Sequence, residues 1–496
     1  MINKKVIVLF AFLLTLVICN ITYCAKDNGK ITYESADTKT KNDSSPHLSA
    51  SFEWNRTWGE SESFSEHGRG VDADSSGNVY VGGTGSDLPI NWGQHLLLKY
   101  DENGNYHWNS TQGQPYNDLG LDIAVDSGDN IYVCGYSMEG IYTEYFNASL
   151  VKFDSSGAVL WYRTWGSAGS IDSAWGITTD KNDNIYLTGG CDSTDMYLNG
   201  KSFLLKYNSA GDLLWEAKWK IGGGSNQGQD VIVDKNGFVY VVGSNMSSTS
   251  TMLGSYIFLS KFQNDGINLW HNIWGSNSGG NQGFGVVTDS NNNIYVTGRN
   301  FTVGVSKTDM ILLKYSSSGI LQWVTSGDGG TGKIVRGNEI DIDSSDNLYI
   351  VGTIVISGFN WDFIIFKYDK DGTFLWKETW GNVNDREDGF GIKIVESTNV
   401  NIYVTGERTD GGDLDVALVK YVEPRGSPPP DDGDDDDDKD DDDDDKDDDD
   451  GSADKGDKKS SSGLTSLFVI GLVSGIAVIS AVVMISVILI KRRFKR

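Results

Sequence analysis

Seven copies of one phrase, written VDADSSGNVYVGG at 71–83 and VVTDSNNNIYVTG at 286–298, are each followed by a second phrase of the type FLLKYNSAGDLLW. A stray copy of the closing part, FEWNRTWG, stands ahead of them all at 52–59. Together these observations predict an all-β fold, a seven-bladed β-propeller of four-stranded blades closed by pairing of its N- and C-terminal strands, with one C-terminal transmembrane helix after it.

The first phrase is anchored by Tyr80, Tyr132, Tyr186, Tyr240, Tyr295, Tyr349 and Tyr403, at steps of 52 to 55 residues. An acidic residue precedes six of them, at Asp74, Asp126, Asp180, Asp234, Asp289 and Asp343, and the last copy departs as VESTNVNIYVTG. The second phrase carries Lys99, Lys152, Lys206, Lys261, Lys314, Lys367 and Lys420, then Trp108, Trp161, Trp215, Trp270, Trp323 and Trp376. Seven lysines thus meet six tryptophans, and Trp54 supplies the missing one from the other end of the chain. Runs of four to seven Val, Ile, Leu, Tyr and Trp residues between Asp, Asn, Ser and Gly clusters read as short strands and tight turns. In the third unit the strands are GITTD, NIYLTG, SFLLKYN and LLWEAKW. Segments such as DSSGN and DSSGA supply residues that tolerate positive φ and read as hairpin turns. A solenoid is the competing architecture. It needs capping units, whereas a blade shared between the termini argues for closure.

Units of the form GxGIxxDxxxNIYVTG, then FLLKYxxxGxxLW, then TWG resemble the SBBP repeat, a seven-bladed β-propeller repeat family, over residues 52–422. The resemblance implies a propeller of the kind found in bacterial and archaeal surface proteins. It implies no single activity.

The flanks place the ring outside a cell. Residues 1–25, two lysines and then an apolar run, read as a signal peptide, and 26–51 as a polar disordered lead. Residues 423–463 read as a Pro- and Asp-rich disordered stalk; between 431 and 450 stand 17 Asp and 2 Lys, more than half of the chain's net charge of −28. Like charges hold such a segment open. Leu464 to Ile490 is uncharged and reaches about 40 Å as a helix, enough to span a bilayer. The basic tail at 491–496 marks the cytoplasmic side, giving a single-pass protein of the cell membrane with its propeller extracellular. Gly471 and Gly475 form a GxxxG that offers weak dimerisation through this helix, a spacing also common without any such role.

Chemical motifs are few. His47, His67, His95, His107 and His271 have neither zinc-ligand spacing nor a recognisable Ser or Cys partner. The acidic ring with scattered Lys and Arg excludes a nucleic-acid partner. Cys134 and Cys191 are either a disulfide or two buried thiols. At the start of the first strands acid alternates with glycine: Gly70, Asp122, Gly176, Asp230, Gly285, Glu339, Gly391. If those strands line the channel, Asp122, Asp230 and Glu339 converge on one axial cation such as calcium; no other cofactor is expected. The most variable segments follow each unit's glycine and carry Trp92, Tyr142, Tyr145, Phe146, Tyr197, Phe359 and Trp361, aromatics suited to a protein or glycan ligand or to capping the blades. Asn55, Asn109, Asn147, Asn245 and Asn300 open glycosylation sequons. The function expected is binding, adhesion or surface display through the loop face, without catalysis. The alternative is an extracellular lyase or glycosidase, which would need paired carboxylates at the centre of one face.

Overall fold

The computed structural model describes residues 49–59, 65–85, 93–113, 117–138, 140, 145–193, 200–246, 254–275, 279–302, 307–327, 333–358, 360–382, 385–410 and 413–425. The chain divides into two units, Met1–Pro429 and Pro430–Arg496, and every described residue belongs to the first. The signal peptide, most of the lead, the stalk beyond residue 425, the membrane helix and the basic tail lie outside the described residues. Among those described, no helix is long and apolar enough to cross a membrane.

Six copies of the double phrase each fold as four antiparallel strands. β1 (Ser51–Trp58) comes first and stands apart. The first unit is β2 (His67–Ala73), β3 (Val79–Gly85), β4 (Gln94–Tyr100) and β5 (Tyr106–Gln112). The second is β6 (Asp118–Val125), β7 (Ile131–Met138), β8 (Phe146–Phe153) and β9 (Val159–Trp165). The third is β10 (Ile171–Thr179), β11 (Ile185–Ser193), β12 (Lys201–Tyr207) and β13 (Leu213–Trp219). The fourth is β14 (Ser225–Val233), β15 (Val239–Met246), β16 (Tyr256–Phe262) and β17 (Asn268–Trp274). The fifth is β18 (Gly279–Thr288), β19 (Ile294–Thr302), β20 (Lys307–Tyr315) and β21 (Leu321–Gly327). The sixth is β22 (Ile334–Ile342), β23 (Leu348–Ser357), β24 (Asn360–Tyr368) and β25 (Phe374–Trp380). The seventh has three strands of its own, β26 (Glu387–Glu396), β27 (Asn399–Asp410) and β28 (Asp413–Pro424).

This is an all-β propeller with four-stranded blades, and one expectation needs correction. Instead of seven separate sheets there are five four-stranded ones, while the second and third units share a single eight-stranded sheet. The join is one parallel pair, Phe146 with Ile171, where the Phe146 amide donates to the Ser170 carbonyl at 3.2 Å. The same approach recurs as isolated bridges at Ser255–Gly280 and Trp361–Arg386. Only at 146 and 171 does it fall inside two full strands. First strands pack in a closed cycle, β2 on β6, β6 on β10, β10 on β14, β14 on β18, β18 on β22, β22 on β26, and β26 back on β2.

The repeated phrase is a hydrogen-bond recipe. The Asp74 carboxylate accepts the backbone amides of Ser76 and Asn78, the Asn78 side chain and the Tyr80 hydroxyl, the last at 3.0 Å. Asp126, Asn130 and Tyr132 repeat this, as do the triplets beginning at Asp180, Asp289 and Asp343. Carboxylate oxygens filled in this way serve the turn, as Asx chemistry predicts. The tyrosines are fully buried, and each packs against the fourth-strand tryptophan at 5.9 to 6.3 Å between ring centres. In the seventh unit that partner is Trp54, 6.1 Å from Tyr403. β1 pairs antiparallel with β28, and Trp54 lies opposite Lys420 as Trp161 lies opposite Lys152. Units are also tied by lysine: Lys99 donates to the Ser155 carbonyl, Lys152 to Ser209, Lys261 to Ser317, and Lys420 to Glu102 across the closure. Cys134 and Cys191 are buried free thiols.

Candidate functional site

Every first strand carries the same irregularity. Its register with the second strand skips one residue between Gly68 and Gly70, Gly120 and Asp122, Ala174 and Gly176, Gly228 and Asp230, Gly283 and Gly285, Gly337 and Glu339, and Gly389 and Gly391. A bulge leaves one residue outside the ladder and re-aims its side chain. The residues so released are Arg69, Leu121, Trp175, Gln229, Phe284, Asn338 and Phe390, and all of them line one axial cavity of about 510 Å³. Sequence reasoning missed this ring. Its signal is a small residue, then a variable one, then Gly or acid in alternation, a triplet whose middle position follows no rule from unit to unit.

One residue further on, Asp122, Asp230 and Glu339 do face the same cavity, so the alternation does mark a channel layer. Its cause is steric and structural. A Cβ on Gly70 would stand 2.6 Å from an Asp122 oxygen, and one on Gly285 would stand 2.7 Å from a Glu339 oxygen. The aspartates act as clasps between units. Asp122 accepts the amides of Ile123 on its own strand and Ile177 on the next unit, and Asp230 accepts those of Val231 and Val286. Two residues deeper, Asp72 accepts Ala73 and Val125, and Asp341 accepts Ile342 and Ile394. Lys393 completes that layer with an ion pair to Asp72 at 2.8 Å. The oxygens that an axial cation would draw on are thus already engaged with backbone amides, except on Glu339, which accepts Ile340 alone from the backbone.

Burial, with the neighbouring Asp230 charge second, raises the Asp122 carboxyl well above its ordinary range. Burial lifts Asp230 to about 7. Glu339 is raised by burial and then by Asp230 and Asp122. In the deeper layer the Asp72 charge holds Lys393 above its usual range.

The packing gives a first prediction. A Cβ at Gly176 would lie 2.6 Å from the Asp230 Cα and 2.7 Å from the Gln229 carbonyl, backbone that cannot swing aside. Gly176→Ala is expected to cost about 1–3 kcal/mol in urea unfolding. Gly190→Ala, whose nearest atom would be 3.6 Å away, should leave the midpoint in place.

The loop aromatics divide. Trp92, Tyr142, Tyr197 and Phe359 lie outside the described residues. Tyr145 is exposed, and Phe146 packs on Tyr136 at 4.8 Å. Trp361 has Arg386 4.3 Å and Arg336, a cavity-lining residue, 5.6 Å from its ring centre. The sequons fall on strands: Asn55, Asn109, Asn147 and Asn300 are half-buried, and Asn245 is buried with its amide donating to the Ile221 carbonyl, so a glycan there would have to displace a core contact. Two histidines do have serine partners, contrary to the sequence reading. His95 meets the Ser149 hydroxyl at 2.7 Å and His271 meets Ser260 at 2.8 Å. Both serines and His95 are buried, and burial pushes His95 down to about 4, so the His95–Ser149 pair is a neutral buried contact, while His271 lies exposed on β17.

No family model matches the chain. A 156-residue stretch is 28% identical to an uncharacterized WD repeat-containing protein of Acanthamoeba polyphaga mimivirus, covering 24% of this chain and 11% of that protein. Among solved structures, a protein of unknown function from Dyadobacter fermentans aligns over 77% of this chain and 100% of its own at 10% identity and a TM-score of 0.47. A polysaccharide lyase aligns over 78% of this chain and 94% of its own at 10% identity and a TM-score of 0.43. The β-propeller domain of the trilobed protease of Pyrococcus furiosus covers 70% of this chain and 94% of its own at 9% identity and a TM-score of 0.40.

Proposed function

We infer that this chain is a surface-anchored binding module of the SBBP-like, seven-bladed kind, taking a protein or glycan ligand at the loop-side mouth of its axial cavity. A signal peptide, acidic stalk and membrane helix would carry the ring outside the cell. The observation behind this reading is the ring of bulge side chains. Strands that otherwise repeat present an arginine, a leucine, a tryptophan, a glutamine, an asparagine and two phenylalanines around one concave space. Few, convergent polar groups among aromatic surface are what a ligand site requires. The cluster of Asp122, Asp230 and Glu339 favours a second reading, a carbohydrate-active enzyme, because carboxyls with raised proton affinity mark acid–base sites. Their engagement as clasps weighs against it.

Full-length protein on a glycan array, run beside a hydrolysis and lyase assay on the same sugars, separates the two. Binding without turnover is expected, with Trp175→Ala and Phe390→Ala each weakening it about tenfold, as for buried aromatic anchors. Turnover abolished by Asp230→Asn would instead establish the enzyme.

A further inference from the structure

Arginines are not spread evenly around the ring. Those between residues 49 and 425 are Arg56, Arg69, Arg163, Arg299, Arg336, Arg386, Arg408 and Arg425. Arg56 and Arg163 brace outer strands by donating to the carbonyls of Gly104 and Gly211. Arg69 and Arg336 line the axial cavity, and Arg386 stands beside Arg336 on the shared Asp388. We propose that this arc, from the sixth unit through the seventh to the first, is an anion subsite that selects a carboxylate-bearing saccharide; it rests on the binding reading above and narrows it to a ligand class.

Two buried carboxylates organise the arc from behind. Asp388 takes Arg336 and Arg386 at 2.7 Å each, and Glu407 takes Arg69 and His67 at 2.7 Å each. Each acid is shared by two bases, so three guanidiniums face two carboxylates, with His67 adding charge when protonated. Among the described residues Arg69 and Arg336, both lining the cavity, each commit Nη2 to their carboxylate, one end of a five-donor fork. The Arg69 guanidinium carbon lies over the Phe390 ring, 4.1 Å from its centre. A planar fork matches a carboxylate bidentately, and three guanidiniums to two carboxylates set this arc apart from the carboxyl layer of Asp122, Asp230 and Glu339 in the same cavity. Arg299 lies near this arc, held down to about 10 by burial and then by the Arg336 charge. Phe390, Phe284 and Trp175 offer faces for the apolar side of a sugar ring, and Gln229 an amide for its hydroxyls.

The test compares oligogalacturonate with its methyl ester, the same backbone without charge, by calorimetry on the full-length protein at low and moderate salt. The acid form should bind at least tenfold more tightly, by a margin that shrinks with salt. Arg69→Gln and Arg336→Gln should each reduce that ratio to threefold or less, while Arg163→Gln keeps it. The ratio is read within one protein, so a loss of stability does not imitate the effect. Equal binding of acid and ester overturns the anion subsite and leaves the saccharide reading standing, as does a ratio unchanged in both cavity variants. Binding of neither form also overturns it, and the glycan array then decides the broader reading separately.

Discussion

Trp54→Ala is expected to cost the ring about 3 kcal/mol, the same as Trp161→Ala, although Trp54 sits on a strand some 350 residues from the sheet that it completes. The argument is one of equivalence. Trp161 packs on Tyr132 and over Gly211 of the next unit's turn; Trp54 packs on Tyr403 and over Gly104. Arg163 lies over Trp161 at 5.2 Å and donates to the Gly211 carbonyl, and Arg56 lies over Trp54 at 5.0 Å and donates to the Gly104 carbonyl. Both indoles are half-buried, which places the cost at the low end for an aromatic truncation. A ring left open would put Trp54 on a frayed end, where truncation costs under about 0.5 kcal/mol. Urea midpoints of the two variants decide it. A silent Trp54→Ala beside a costly Trp161→Ala would reject closure.

Closure was legible because it is a counting argument: seven lysines and six tryptophans leave one tryptophan to be found elsewhere. The Asp–Asn–Tyr turn was legible for a similar reason, since all its members lie within seven residues. Features that depend on register were not. Whether Arg69 or Gly70 enters the ladder is decided by one skipped pair, invisible without knowing which residue of β3 stands opposite. The pairing of His95 with Ser149 joins strands of neighbouring units, and no local pattern records it. The acid–glycine alternation was legible as a channel layer and expected to hold an axial cation. Its structural side, an aspartate clasp using the space that a neighbouring glycine leaves, requires knowing that Asp122 reaches Ile177 across the interface. The shared sheet of the second and third units rests on a single pair and has no sequence signal.

The clasps carry the other large expected effect, a loss of stability between pH 5 and 8. A carboxyl whose proton affinity is higher folded than unfolded binds more protons in the native state. Its contribution is therefore complete below the unfolded value and is lost as pH rises through the folded one. For Asp230 that window runs from 3.8 to about 7. A decade of proton affinity is worth about 1.4 kcal/mol, so this group sets an upper bound of about 4 kcal/mol, and Asp122 and Glu339 are raised in the same direction. The turn aspartates Asp126 and Asp180 are held below the ordinary range and act oppositely, costing stability only as pH falls below about 4. Glu387, raised by burial to about 7, shares the upper window, so the wild-type slope alone does not identify the channel. The difference between wild type and Asp122→Asn/Asp230→Asn/Glu339→Gln does. An amide cannot ionise, and on Asp122→Asn and Asp230→Asn its NH2 group meets one of the two backbone amides that the carboxyl oxygens accept, so the variant should unfold more easily at pH 5. The gap should close towards pH 8, where the wild type bears like charges across its channel. Calcium at pH 8 is expected to shift both proteins equally, because the clasps already engage the aspartate oxygens. A parallel decline in wild type and variant would show that these carboxyls do not titrate in that window, and a calcium response confined to wild type would return the layer to a cation.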